Sequence, residues 1–242
     1  MKNNTRILIY PLLLLGVLLM FTSSCKKEDD ILPPILFNPD LTYGSVTDID
    51  GNVYKTITIG TQTWMAENLK TSKYCNGELI PNVVSFAEWA SLITGGYCYY
   101  DNEPKNARTY GMLYNWYTAN DSRKLAPAGW HIPTNDEWTT LIDYLGGKDT
   151  AGVKLMETGS IHWNLPSNKE ATNETGFTAL PSGVHSVGSL GNNFVGLGGD
   201  SYFWSLTQDN TYNAWSQKIG ISSRFFLHDK CCGFSVRCVK DN

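Results

Sequence analysis

The chain is poor in the residues from which catalytic and nucleic-acid sites are usually built. Charged residues make up only 17% of the 242 residues, the net charge is −4, and there are four scattered histidines. No CxxC or HxxxH spacing occurs, so a structural zinc site is not indicated. No Ser/His/Asp order, phosphate-binding glycine loop after a strand or nucleophile elbow can be assembled. We therefore expect no catalytic residue, no metal and no cofactor, and the acidic balance argues against nucleic acid as a partner.

A long apolar run is also missing. The longest, residues 7–21, follows two basic residues, is too short to span a bilayer comfortably and is typical of a signal peptide. Small residues then lead into Cys25, which resembles the bacterial lipoprotein pattern in which this cysteine becomes the lipidated first residue. Ordinary secretion with an unremarkable Cys25 is the alternative. We expect residues 1–24 to be a lipoprotein signal peptide and Cys25 to be the lipid attachment site.

The residues after Cys25 indicate where in the cell envelope the protein is exported. The stretch KKEDD at 26–30 resembles the acidic export signal of Bacteroidetes-type lipoproteins that reach the outer face of the outer membrane. A solvated linker without an address is the alternative. The proline-containing stretch that follows reads as a spacer, so residues 25–42 are predicted to be a flexible tether. The expected location is the outer membrane, held by a lipid anchor and facing the cell exterior.

Several independent signals in residues 125–147 predict the same helix. Thr134 and Glu137 form a capping box, in which each side chain satisfies a free backbone N–H at the helix start. The apolar residues Trp138, Leu141, Ile142 and Leu145 recur at helical spacing. Gly146 follows as a stop, so we predict a helix over 135–145.

Other segments predict shorter elements. Ser85 with Glu88 predicts a second capped helix, whose apolar face includes Phe86, Trp89, Ala90 and Ile93. Residues 43–59 predict a hairpin turning at Asp50-Gly51, and residues 62–69 a short strand with Trp64 buried. Asp48, Asp50 and Asn52 also invite a calcium site, but Gly51 comes too early for an EF-hand loop, so a turn is preferred.

The C-terminal third predicts strands separated by loops. Alternation predicts strands at 202–206, 213–219 and 234–239, whereas the glycine-rich stretch 183–199 reads as a long mobile loop. Gln217 and Arg237 within strands suggest that one sheet face meets water. Strands followed by two amphipathic helices and returning strands give the α+β class, with one domain over residues 43–242.

Six ordered segments carry a resemblance to a known family. They are similar to the Fibrobacter succinogenes major paralogous domain, which implies a domain common on extracytoplasmic lipoproteins, with no established reaction. The segments are IGTQTWMAENL (59–69), GYCYYDN (96–102), YGMLYNWYTA (110–119), LAPAGWHIPTNDEWTTLIDYLGG (125–147), ATNETGFTALPSG (171–183) and GFSVRCVKD (233–241). GWHIPTNDEW and GFSVRC are more distantly similar to formylglycine-generating domains. That similarity implies a C-type lectin-like fold, with two short amphipathic helices on a twisted antiparallel sheet and long irregular loops.

The cysteines are interpreted through this resemblance. Cys98 and Cys238 both lie in segments typical of the family, which implies a disulfide between them. Cys75, Cys231 and Cys232 have no assigned pairing. Formylglycine-generating enzymes bind copper through cysteines near this position, so an oxidase-like enzyme is an alternative, but nothing indicates a reactive thiol.

Binding has more support than catalysis. Trp204, Tyr212 and Trp215 are candidate platforms for sugar rings, and Asp209, Asn210 and Asn213 are candidate partners for hydroxyl groups. Burial of Trp204 and Trp215 in the core is the competing interpretation, since both fall in predicted strands. We expect a non-catalytic ligand-binding domain, with a glycan or a surface protein as ligand. The alternative is a structural or adhesive protein with no small-molecule site.

Overall fold

The computed structural model describes residues 32–164, 170–188, 193–199 and 201–242. The predicted signal peptide, Cys25 and the acidic stretch lie outside the described residues. The chain from Leu32 to Asn242 forms one compact unit. Within the described ranges no helix is both long and apolar enough to cross a membrane.

The architecture is sheet-rich α+β, with five short α-helices among the described residues. The strands are β1 (Gly44–Thr47), β2 (Val53–Ile59), β3 (Gln62–Met65), β4 (Tyr97–Cys98), β5 (Leu113–Tyr114), β6 (Trp130–His131), β7 (Ser182–His185), β8 (Phe194–Leu197), β9 (Ser201–Gln208), β10 (Asn213–Ile219), β11 (Arg224–Asp229) and β12 (Val239–Lys240). The helices are α1 (Phe86–Ala90), α2 (Asn106–Tyr110), α3 (Trp116–Ala119), α4 (Asn135–Tyr144) and α5 (Ala151–Leu155).

A five-stranded antiparallel sheet brings the two ends of the compact unit together. Its order is β1-β2-β3-β12-β6, so the last strand lies between β3 and β6. The predicted hairpin is confirmed as β1 and β2. The Asp48 carboxylate accepts the backbone N–H groups of Asp50 and Asn52, each at 2.9 Å, and Gly51 takes a φ of 84°. These bonds use Asp48 to build a turn, as the sequence favoured.

Helix α4 confirms the strongest sequence prediction. Both hydrogen bonds of the Thr134–Glu137 capping box form, and Gly146 follows the helix with a φ of 95°. Trp138 is fully buried, with ring centroids 4.7 Å from Trp64 and 5.7 Å from Phe203. The helix therefore joins the five-stranded sheet to the sheet that carries β9.

Helix α1 is shorter than its apolar pattern predicts. Ser85 caps it as expected, but the helix ends at Ala90, and Ser91 bonds back to the Glu88 carbonyl through its side chain. Trp89 is the helix residue that becomes buried, whereas Ile93 is 79% exposed. The prediction that Ile93 packs on the core is wrong, because the chain leaves the helix before that position.

The stretch 183–199 was predicted as a mobile loop, and this is wrong for its described residues. β7 and β8 form an antiparallel hairpin there, with Val184 opposite Val195. Gly183 and Gly196 adopt φ values of 63° and 80°. Both glycines lie within the hairpin and allow backbone conformations that other residues rarely adopt.

Strands β9, β10 and β11 form a separate antiparallel sheet in the order β11-β10-β9. The first two confirm predicted strands, and β11 is an element that alternation did not reveal. Trp204 on one sheet face packs against Phe234 at 4.5 Å, and Phe203 on the other face packs against Trp138 at 5.7 Å. The predicted strand 234–239 forms regular ladder pairing only as β12, although Phe234, Val236 and Cys238 are all buried as expected.

The predicted flexible tether is shorter than expected. From Leu32 onward its residues belong to the compact unit. The Leu36 N–H donates to Glu157 Oε1 at 2.7 Å, and the Pro33 carbonyl lies 3.2 Å from His162 Nε2. Phe37 packs against the core beside α4. The docked residues find hydrogen-bond partners and apolar contacts that lie more than a hundred residues away in sequence, which a local pattern does not reveal.

Candidate ligand-binding site

Trp204, the first predicted sugar platform, is a core residue. Its side chain is fully buried, and Nε1 donates to the Tyr114 carbonyl at 2.7 Å. The ring also contacts Phe234. The prediction that Trp204 contacts a ligand is wrong, because β9 lies between the two core clusters and its side chains are buried on both faces.

Four of the other predicted ligand residues, Asp209, Asn210, Tyr212 and Asn213, come together at the β9–β10 turn. Tyr212 is 73% exposed there. Asn210 Oδ1 accepts the backbone N–H groups of Tyr212 and Asn213 at 2.8 and 2.9 Å, and Asn210 Nδ2 donates to Asp209 Oδ2 at 2.7 Å. These polar groups bond to one another and shape the turn. Half-buried Trp215 lies apart from them, edge-on to Phe225 at 6.4 Å between ring centroids.

Next to Phe225 lies a cleft of about 360 Å³ between α4 and the strands β10 and β11, which we call the β10–β11 cleft. Helix α4 provides one wall because its apolar face packs on the same side of the sheet as Phe203. The strands and the loop before β11 provide the other wall. The lining residues are Thr139, Ile142, Asp143, Lys148, Gln217, Ser223, Arg224 and Phe225.

Two buried polar atoms in this cleft have no hydrogen-bond partner among the described residues. They are Gln217 Oε1 and Ser223 Oγ, on side chains that are almost entirely buried. The orientation of the Gln217 amide is determined, because its nitrogen donates to the Lys218 carbonyl at 2.7 Å. Leaving a polar group buried without a partner costs about 1–3 kcal/mol. Both residues line the cleft, so a ligand that displaces the side chains covering these two atoms would meet an acceptor and a hydroxyl.

The rim of the β10–β11 cleft carries charges of both signs. Lys148 and Asp143, which are both exposed, line the rim. Arg224 Nη2 lies 3.3 Å from Asp149 Oδ1, and both side chains of this ion pair are exposed. A surface ion pair of this kind contributes little to stability, so the guanidinium can exchange partners. Phe225 and Ile142 add apolar surface. The cleft thus combines a ring platform, hydrogen-bond donors and hydrogen-bond acceptors.

A second cleft, of about 270 Å³, contains the one histidine that the sequence placed beside a capped helix. It is lined by residues 119–122, 124–126, 130–132, 206 and 241, and we call it the 119–132 cleft. The His131 ring nitrogens lie 2.6 Å from Asp241 Oδ1 and 2.6 Å from Glu137 Oε1. Burial lowers the pKa of His131, but the bonds to Asp241 and Glu137 outweigh burial and raise it. Two carboxylate oxygens at this distance favour the protonated ring, in which both nitrogens donate and no lone pair is left for a general base.

The cysteines are all free thiols in the described chain, so the predicted Cys98–Cys238 disulfide is not formed. Cys98 lies on β4, which pairs with β5, whereas Cys238 directly precedes β12, which lies between β3 and β6, so the two cysteines belong to different sheets. Burial raises the pKa of Cys232 to about 11 and that of Cys231 to about 12. Thiols held in this state are poor nucleophiles at neutral pH. Within the described ranges no three His, Cys, Asp or Glu side chains form a metal-binding group.

Gln217 and Arg237 do not mark a water-facing sheet, as the sequence suggested, because both are buried. Sequence reasoning therefore missed Gln217 as a site residue, and it missed Ser223 and Lys148 altogether. One available signal was the cross-strand pairing of a polar residue with an aromatic one. Gln217 lies directly opposite Phe225, but β11 had to be recognised before that pair was visible.

The fold and the cleft define a sheet-rich α+β domain with a polar-aromatic surface cleft. The chain belongs to the Fibrobacter succinogenes major domain family, whose model matches residues 57–240. This confirms the resemblance seen in the six sequence segments. No curated protein and no solved structure matches the chain, and the C-type lectin-like fold stays a prediction.

Proposed function

We propose that this protein is an exported, lipid-anchored surface protein whose domain binds a glycan without catalysis in the β10–β11 cleft. The observation that carries the proposal is the pair of unpartnered buried atoms, Gln217 Oε1 and Ser223 Oγ, beside the Phe225 ring. Small-molecule sites commonly combine an apolar surface with a few convergent polar groups. A sugar ring offers both an apolar face and hydroxyl groups that donate and accept.

The cleft suggests how a sugar is held. The apolar ring face lies on Phe225, and one hydroxyl donates to Gln217 Oε1. A second hydroxyl bonds to Ser223 Oγ. Lys148 and Arg224 at the rim donate to further oxygens, whereas Asp143 accepts. Each of the two buried bonds would contribute more than an exposed one, because it also relieves an unpaired group.

Several observations favour binding over reaction. His131 has both ring nitrogens committed to carboxylates, and burial raises the pKa values of Cys231 and Cys232. Neither group is therefore set up as a base or nucleophile at neutral pH. This argues against an oxidase-like activity through these cysteines.

The proposed anchor and fold rest on sequence and topology. The signal-like run before Cys25 supports lipidation, and the acidic stretch after it supports exposure on the outer membrane. Protease shaving of intact cells tests that placement, since a periplasmic domain would be protected. A C-type lectin-like fold is supported by β12 lying between β3 and β6, which places the first and last strands of the described chain in one sheet.

The binding proposal is tested with a glycan array. The probe is the mature chain, residues 25–242, with Cys25→Ser so that no lipid is attached. We expect binding that Ser223→Ala weakens about fivefold, because one buried hydrogen bond of roughly 1 kcal/mol is lost. Ser122→Ala in the 119–132 cleft is the matched control and should leave binding unchanged. Absence of any glycan binding, or equal loss in both variants, would contradict the proposal.

A further inference from the structure

Strand β11 is the open edge of the three-stranded sheet. The opposite edge strand, β9, is covered by main-chain hydrogen bonds to Ser235. The backbone N–H of Trp204 donates to the Ser235 carbonyl at 3.1 Å, and the backbone N–H of Ser235 donates to the Tyr202 carbonyl at 3.2 Å. In the described part of the chain β11 pairs with β10 alone. An open edge offers main-chain donors and acceptors to another strand.

The free groups of β11 can be assigned from the register. The Lys230 N–H donates to the Tyr212 carbonyl at 2.9 Å, just beyond the Asn213–Asp229 pair. Because hydrogen-bonded pairs alternate along antiparallel strands, Arg224, Phe226 and His228 direct their main-chain groups toward β10. Phe225 and Leu227 therefore direct theirs outward.

The free stretch is short and bounded at both ends. The Asp229 carbonyl already accepts the Cys232 N–H at 2.9 Å, and the Ser223 N–H donates to the Lys148 carbonyl at 2.7 Å. Between these positions the edge runs from Arg224 to His228, with the apolar residues Phe226 and Leu227 near its centre, 41% and 43% exposed on opposite faces. The sequence RFFLHD contains neither the proline nor the lysine that commonly protects an edge strand.

We propose that a second copy of this chain pairs with β11 in antiparallel orientation, with the two-fold axis passing beside Phe226. Phe225 then lies opposite Leu227 of the partner subunit, and the two such pairs make four main-chain hydrogen bonds. Phe226 lies opposite Phe226 of the partner subunit. A register centred on Leu227 would require the Asp229 carbonyl, and one centred on Phe225 would require the Ser223 N–H. Both groups are already bonded.

The dimer has a consequence for binding, which rests on the proposed function. A two-fold axis perpendicular to the sheet keeps each face on its own side. The two β10–β11 clefts, each walled by Phe225 and Arg224, therefore open on one face of a six-stranded sheet. Two sites on one face raise the apparent affinity for a ligand that repeats.

Site-directed cross-linking tests the register without any ligand. The background is the mature chain with Cys25→Ser and Cys75→Ser, which removes the half-exposed thiol. Directly opposed residues outside the hydrogen-bonded pairs have Cβ atoms about 4.5–5.5 Å apart, close to disulfide geometry. Phe226→Cys should therefore give a covalent dimer on mild oxidation. Leu227→Cys is the control, since that position faces Phe225 of the partner subunit and should remain monomeric.

Sedimentation equilibrium provides the second measurement. The chain with Cys25→Ser should show a monomer–dimer equilibrium that Phe226→Lys weakens at least about tenfold, because a charge enters an apolar seam. Tyr212→Lys, at the exposed β9–β10 turn, should leave the equilibrium unchanged. The proposal is overturned by a strictly monomeric chain, by equal cross-linking of the two cysteine variants, or by a dimer that Phe226→Lys leaves intact.

Discussion

Arg237 and Gln217 are two buried polar side chains that both neighbour Phe203. The Arg237 guanidinium stacks on Phe203 with its central carbon 5.5 Å from the ring centroid, and Phe203 pairs across the strands with Gln217. Both residues read from sequence as members of a water-facing sheet, yet both are buried. They differ in their partners.

Each of the three guanidinium nitrogens of Arg237 has at least one acceptor. Its guanidinium donates to Asn68 Oδ1 and to the carbonyls of Met65, Phe177 and Thr178, at 2.6 to 3.1 Å. Gln217 bonds once through nitrogen and leaves its oxygen unpaired. A buried group whose nitrogens are all hydrogen-bonded joins separate parts of the fold, whereas an unsatisfied oxygen in the wall of a cleft is a candidate partner for a ligand. We infer that Arg237 stabilises the fold and that Gln217 contributes to ligand binding.

The largest expected effect comes from removing the satisfied group. Arg237→Met should lower the free energy of unfolding by about 3–5 kcal/mol, because four buried acceptors lose their donor. Urea denaturation monitored by tryptophan fluorescence measures this. Arg123→Met, which breaks half-exposed ion pairs with Asp121 and Glu78, is the control and should cost less than about 1 kcal/mol. Equal losses of unfolding free energy in the two variants would show that the buried hydrogen bonds of Arg237 contribute no more than a surface ion pair.

Trp204→Ala should be nearly as destabilising. Truncating a buried tryptophan leaves a cavity and typically costs about 3–5 kcal/mol. Glycan binding by the folded fraction should change less than twofold (roughly 0.4 kcal/mol), since Trp204 lies on the sheet face opposite Gln217. Tyr212→Ala at the exposed turn should affect neither quantity. A specific loss of binding in Trp204→Ala would restore this residue as a platform.

A smaller effect is expected in the 119–132 cleft and depends on pH. The folded-state pKa of His131 is raised, so its contribution to stability is fully present below about pH 6.5 and is lost as pH rises through that pKa. Burial raises the pKa of Glu137, but its bonds to Thr134 and His131 lower it on balance, so its contribution is lost at acid pH. The His131 ring is 35% exposed, so we expect at most about 1 kcal/mol.

The measurement is the difference in unfolding free energy between the unsubstituted chain and His131→Gln, taken by urea denaturation across this range. The difference should be largest between about pH 4.5 and 6.5 and should shrink at higher pH. His162, whose pKa is also raised, is unchanged in both proteins, so its contribution cancels. A difference in unfolding free energy that grows with rising pH would contradict the assignment of His131 as an imidazolium that donates two hydrogen bonds.

How far the sequence predicts the structure depends on how local each signal is. Helix α4 was predictable because its capping box, apolar face and glycine stop all lie within thirteen residues. The β7–β8 hairpin was not, since glycines with positive φ within strands look like loop residues. The docking of residues 33–43 depends on Glu157 and His162, which no local pattern connects to them.

The site was less predictable than the fold. Alternation placed Trp204 and Trp215 in strands but did not tell which sheet face is covered. A polar residue in a strand normally indicates solvent, and Gln217 is buried only because α4 and the loop carrying Ser223 cover that face. Burial of this kind is decided by packing between distant segments.

The most direct test of the central claim is Gln217→Met, which keeps the side-chain volume and removes the unpaired oxygen. We measure its glycan affinity by calorimetry, with a ligand identified on the array, and its unfolding free energy by urea denaturation. The account predicts at least about tenfold weaker binding with stability within about 1 kcal/mol of the unsubstituted chain, because the lost bond to Lys218 is offset by removal of an unsatisfied atom. Unchanged binding together with a loss of stability comparable to that of Arg237→Met would contradict it.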